Sequence, residues 1–284
     1  MKRIKSRFQE ILTVCMITLL AVTTNGQAVD EDYNKGVTVS PSHLNFHVDP
    51  GKIATKKVKV SNYTGKTQKF NVVYNDFDIS ESGNSTFMEP GTSDYSLSDL
   101  LSISPTFLEL APGTSQEVSL TVQLPSDAPA RASWGVLVIE QEEEKKVLDP
   151  GNNSGQTLAF GITPTFAFGV WLYQNPTHVE DMAVDITNFT FEEKDDKQLL
   201  MLAVKNTGDG ISFCNAYVEL TNTSTGEQTQ VGGKRYTILP GYERTFVFEP
   251  PAKLTPGHYS AVGVLDYNSD EELVAAELEF DIAE

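Results

Sequence analysis

The residues with chemical potential are few, and their spacing argues against catalysis. The four histidines stand at 43, 47, 178 and 258; His178-Val179-Glu180 is a lone His-x-Glu with no second histidine or cysteine pair nearby to complete a metal site, and no His-Glu-x-x-His occurs. Such pairs let near neighbours share a zinc ion. His43 and His47 lie in a stretch that reads as strand, where about 3.3 Å per residue sets them roughly 13 Å apart, too far for one metal. No Gly-x-Ser-x-Gly elbow and no phosphate-cradling glycine loop occurs. Asp266, Asn268 and Asp270, with Glu277 eleven residues after Asp266, imitate a calcium loop, but Glu271 holds the place that needs glycine for the sharp turn. That segment reads as the hairpin turn between the last two strands. Cys15 and Cys214 cannot build a disulfide framework or a zinc site alone. Cys214, in the alternating stretch Ile211 to Leu220, reads as a small buried hydrophobe. The sequence therefore predicts a non-enzymatic protein without metal or cofactor.

The 284 residues carry 39 Asp or Glu against 21 Lys or Arg, a formal charge of −18. That field repels phosphate backbones and excludes nucleic acid as the partner. A hydrophobic fraction of 39% suffices for a packed core. Lys2, Arg3, Lys5 and Arg7 precede the apolar run Ile11 to Val22, which small and polar residues through Gly26 then close. This is the layout of a signal peptide over residues 1–26. The apolar run is short of the ~20 residues that a membrane span needs. Cys15 lies within it, so the lipoprotein layout fails. The mature chain is expected in the periplasm or at the cell surface, with no membrane span.

The remaining sequence alternates apolar and polar residues in short runs bounded by Gly, Pro, Asn, Asp or Ser, the mark of strands and turns. The runs are Val37–Val48, Ile53–Ser61, Lys69–Phe77, Glu117–Leu124, Ala132–Glu140 and Leu158–Leu172, and they resume from Met182 to Ile282. Only Ser96–Leu101 suggests a helical turn. About seven short strands per half is the signature of an immunoglobulin-like sandwich. An internal repeat supports two of them. Pro112-Gly113 and Trp134-Gly135 recur as Pro240-Gly241 and Val262-Gly263, offset by 128, with Val118 and Leu120 matching Phe246 and Phe248 as inward positions. Asn62 to Gly65 and Asn206 to Asp209 close the second strand of each half. The sequence thus predicts an all-β chain of two tandem immunoglobulin-like β-sandwich domains, 29–175 and 177–284, joined near Pro176.

A leader followed by two such sandwiches resembles the periplasmic pilus chaperones of the PapD-like superfamily. The likeness rests on the early strand Val37–Phe46, on Leu108 to Gly113, on Arg131 to Ser133, and on the long strand ending at Pro176. The Pro-Gly-led strand and Trp134-Gly135 also resemble the N-terminal domain of WxL-interacting surface proteins. The chaperone resemblance implies two cations that hold a subunit's terminal carboxylate. Here the matching places carry His43, three residues before Phe46, and Trp171, five before Pro176. Indole cannot bind a carboxylate as a cation does, and imidazole does so only when protonated. Any such anchoring should strengthen as the solution is acidified.

The resemblance also implies an edge strand that lends side chains to a subunit's open groove. The ladder Leu158, Phe160, Ile162, Phe166 and Phe168 has the required period of two, and its face reads either as core or as an exposed donor row. Pro164 suits an edge strand but also hinders pairing there. The loops Gln141–Gln156 and Ser80–Asp99 read as long, solvated connections. Leu158, Phe160, Ile162, Phe166 and His43 are therefore the candidate partner-binding residues. The partner is expected to be a protein, a surface-structure subunit or cell-envelope component, bound by a chaperone-like assembly factor. The other reading is a structural or adhesive cell-surface module.

Overall fold

The structure, a computed structural model, describes residues 36–128, 131–142, 165–177, 179, 183–267 and 273–283. The leader, Leu158, Phe160, Ile162 and Pro164 lie outside the described residues. Among the described residues no helix is long and apolar enough to cross a membrane.

Among the described residues the first sandwich holds ten strands: β1 (Val37–Ser40), β2 (His43–Phe46), β3 (Ile53–Asn62), β4 (Gln68–Ile79), β5 (Ser85–Met88), β6 (Leu101–Ser104), β7 (Phe107–Leu110), β8 (Ser115–Gln123), β9 (Ser133–Gln141) and β10 (Ala167–Gln174). One sheet runs β1-β3-β8-β6 and the other β2-β10-β9-β4-β5, with β7 also pairing β4. Alternation decides what lies between them. Val118, Leu120 and Val122 of β8 meet Phe70 of β4, Leu137 of β9 and Leu172 of β10, all with 1% exposure or less.

The second sandwich holds β11 (Val184–Lys194), β12 (Lys197–Asn206), β13 (Ser212–Asn222), β14 (Gln228–Ile238), β15 (Glu243–Phe248), β16 (Gly257–Asp266) and β17 (Val274–Ile282). Its sheets run β11-β12-β15 and β14-β13-β16-β17. The order repeats the first sandwich: β12 and β15 stand where β3 and β8 do, and β13, β16 and β17 where β4, β9 and β10 do. Phe246 and Phe248 are buried in its core, as Val118 and Leu120 are in the first. Cys214 is fully buried there, and burial, with a smaller contribution from Asp266, pushes its thiol up to about 12.

The repeat extends to hydrogen bonds. In the first sandwich Gly113 N–H donates to Asn62 O at 2.8 Å and Asn62 N–H to Thr114 O at 2.9 Å; in the second, Gly241 donates to Asn206 O at 3.0 Å and Asn206 to Tyr242 O at 2.9 Å. Each asparagine is fully buried. Asn62 Nδ2 donates to Lys66 O and Leu110 O, and its Oδ1 accepts from Thr64 N–H. Asn206 Nδ2 donates to Gly210 O and Ile238 O, and its Oδ1 accepts from Gly208 N–H. One side chain thus satisfies a turn and ties it to a neighbouring strand, which is what a buried amide must do. Gly113 and Gly241 stand at φ +72° and +80°, a conformation that costs glycine little.

Two details depart from the sequence pattern. The run from Val37 to Val48 is not one strand: after Pro41 the chain changes sheets, β1 pairing β3 antiparallel and β2 pairing β10 in parallel. The segment 80–99 is not simply a solvated loop. It contains β5 and leads into a 3-10 turn at Ser98–Leu100.

A third apolar cluster lies between the sandwiches. Phe77, Trp134 and Val136 from the first meet Ile211 and Leu239 from the second, with Tyr242 packed beside them. Asn175 reinforces the joint: its Oδ1 accepts from Ile211 N–H at 3.1 Å and its Nδ2 donates to Ile211 O at 3.4 Å. The β4–β5 turn reaches across as well, where Thr245 N–H donates to Glu81 O at 3.1 Å. The Tyr242 phenol is pushed up from 10.0 to about 12, first by burial and then by its hydrogen bond to Asp78. A raised folded-state value favours the neutral phenol. Its contribution is therefore complete below pH 10 and is lost as pH rises through about 12. Urea midpoints should hold steady from pH 8 to 10 and then fall, and Tyr242→Phe should flatten part of that fall. Equal alkaline slopes for the two proteins would remove Tyr242 from this role.

Candidate partner-binding edge and cleft

β10 carries the candidate site. One side of it pairs with β9 along its whole length, from Ala167↔Glu140 to Gln174↔Ser133. The other side pairs with β2 only from Trp171↔His43 to Gln174↔Phe46. Among the described residues nothing pairs with that side of 167–170, an edge of roughly 13 Å. The cause lies in the sequence: β2 begins at His43, after the chain has left the opposite sheet at Pro41, so nothing described covers the first half of β10.

The core-facing side of β10 emerges from the sandwich along this half. Leu172 and Val170 are fully buried, Phe168 is half-buried against the core, and Phe166 is 61% exposed. Gln141 N–H donates to Phe166 O at 2.9 Å, which keeps Phe166 in line with the strand. Phe166 and Phe168 line an open cavity of about 250 Å³ together with Val37, Gln68, Phe70 and Gln141. Gln141 Nε2 donates to Gln68 Oε1 at 2.6 Å, while Gln141 Oε1 is buried without a partner among the described residues. The cavity is thus mostly apolar.

His43 belongs to a different face. It stands in register with Trp171 on the side of the sheet turned to the joint, and Trp171 N–H donates to Ser42 O at 3.0 Å. Trp171 packs edge-on against Phe77 at 4.8 Å and against Phe87 at 6.0 Å between ring centroids. Phe166 lies five residues along β10 from Trp171, about 17 Å away, on the opposite face. The structure therefore brings His43 to Trp171 but not to Phe166. The indole at 171 is a half-buried member of an aromatic cluster. The sequence reading missed Phe87, 47% exposed on β5, because its strand is four residues long and framed by polar turns. It missed Gln141 because no local signal marks an amide whose oxygen is left over.

No protein-family model matches the chain, and no curated protein sequence matches it. Solved structures similar to it include the class 5 fimbriae chaperone CfaA, 11% identical, covering 86% of this chain and 98% of that one at a TM-score of 0.45. The E. coli chaperone DraB is 12% identical over 86% and 98%, at 0.42. The Salmonella enterica SafA pilin in complex with the SafB chaperone gives 15% identity over 86% and 96%, at 0.40.

Proposed function

We propose that this chain is an exported, non-enzymatic assembly factor that holds subunits of a surface structure by β-augmentation at the β10 edge. The leader over 1–26 delivers it to the periplasm or cell surface, and the working units are the sandwiches 29–175 and 177–284. The observation that carries the reading is the free half of β10, where main-chain groups at 167–170 and the exposed ring of Phe166 stand beside an unfilled apolar cavity. A strand laid there would gain main-chain hydrogen bonds and bury Phe166. Leu158, Phe160 and Ile162 extend the same row in sequence. His43, in register beside Trp171, is the residue offered to a subunit's terminal carboxylate.

The test is Phe166→Asp. Phe166 is exposed, so stability should change by no more than about 0.5 kcal/mol. Lost burial of one aromatic ring is worth about 1.5–3 kcal/mol, so capture of a subunit purified from the same surface structure should weaken at least tenfold. His43→Ala should weaken it further. Unchanged capture by Phe166→Asp would remove the edge mechanism and leave a structural or adhesive module as the better reading.

A further inference from the structure

The second sandwich carries an edge of its own that the reading above does not use. β17 pairs with β16 over nine residues, from Leu265↔Val274 to Gly257↔Ile282. Among the described residues no strand pairs with its other side. β17 occupies the position that β10 holds in the first sandwich, and there β2 lies in parallel along the corresponding side. Among the described residues the same slot in the second sandwich has no occupant.

The side chains specify what would fit it. Toward the core β17 presents Val274, Ala276, Leu278, Phe280 and Ile282, each packed on the core yet only half-buried. Residues of the adjacent β16, such as Ala261 and Leu265, are fully buried. Phe280 stacks at 4.2 Å on Phe191 of β11, across the seam between the two sheets. The apolar layer thus reaches the edge of the sandwich and remains partly open. The opposite face of β17 carries Glu277, Glu279 and Asp281, spaced by two and exposed. His258 approaches Asp281 at 2.8 Å, while Glu277 and Glu279 have no ion-pair partner among the described residues.

We propose that the free edge of β17 is a second protein-binding site, and that it takes an extended segment alternating apolar with Lys or Arg residues. Apolar side chains of such a strand would complete the open seam, while its basic ones would lie across from Glu277, Glu279 and Asp281. Opposite charges on facing strands stabilise a pair and like charges destabilise it. A second copy of β17 is disfavoured for that reason, because it would set three carboxylates against three more. β17 is nine residues long and contains neither Lys nor Pro, so its guards are the three carboxylates, which repel a copy of itself but not a basic strand.

The experiment uses the full chain and a nine-residue peptide alternating valine and lysine. Controls are a peptide of the same composition with its lysines clustered, and one alternating valine and glutamate. The alternating lysine peptide should bind at least tenfold more tightly than the clustered one and should slow amide exchange within 274–282. Glu277→Lys/Glu279→Lys, altering two exposed residues, should switch the preference to the glutamate peptide by at least tenfold. Equal binding of the two lysine peptides would mean a diffuse acidic surface and overturn the proposal. So would unchanged exchange in β17, or a charge-reversed variant that kept its preference. Phe166→Asp should leave peptide binding intact, which separates this site from the β10 edge.

Discussion

Trp134→Ala is expected to lower the unfolding free energy by about 3–5 kcal/mol and to divide one cooperative transition into two. Trp134 is 1% exposed and sits where the sandwiches meet. Its ring stacks on Tyr95 at 4.2 Å, meets the edge of Tyr242 at 6.0 Å, and its Nε1–H donates to Phe77 O at 3.3 Å. Truncation would remove the surface on which Tyr242 rests and leave the Phe77 carbonyl without its indole donor. Asn175 would still hold the Ile211 backbone, but water would then compete for those bonds. Each sandwich keeps its own core, so each should still fold while the coupling between them is lost. Calorimetry should show a single endotherm in the parent chain and two in the variant. One endotherm, displaced by less than about 1 kcal/mol, would mean that other contacts fix the joint.

The same joint shows why parts of the molecule could be read in advance. Alternation is a local property, and β8, β12 and β13 bury every second residue over most of their length, as their sequences suggest. The 128-residue offset was legible because Pro-Gly turns and inward aromatic or aliphatic pairs recur as types. What could not be read is pairing between distant strands. Nothing local to His43 indicates that it lies in register with Trp171, because that follows from the change of sheets after Pro41 and from where β2 begins. Phe166 is exposed for the same non-local reason: its row is core at Leu172 and open at 166 because β2 covers only half of β10. The aromatic floor beneath Trp171 draws on Phe77 and Phe87, from a strand pair whose second member, Ser85–Met88, is too short to announce itself.

Asp76 supplies the other large effect. It is fully buried at the point where β4 meets β5 and the segment 89–100 returns over the sheet. One oxygen accepts from Tyr74 O–H at 2.8 Å and Ser96 O–H at 2.6 Å, and the other from Ser93 N–H at 2.9 Å. Tyr74 in turn accepts from Leu97 N–H at 2.9 Å, and its ring fills the space beside Gly135 where a Cβ would stand only 2.3 Å away. Burial holds the Tyr74 phenol well above its usual range, so it remains a donor to the carboxylate. A buried donor left without an acceptor costs about 1–3 kcal/mol. With three donors released at once, Asp76→Ala should cost about 3–5 kcal/mol, allowing for hydroxyls that find other partners. Asp76→Asn should also destabilise, because the amide nitrogen must face a donor. Tyr74→Phe keeps the ring against Gly135 and should cost less than either. Limited proteolysis should cut Asp76→Ala between 80 and 99 before the strands are attacked, and β5 should lose its alignment with Phe77 and Trp171. A variant within 1 kcal/mol of the parent, equally resistant to cleavage, would show that the carboxylate does not fasten this segment.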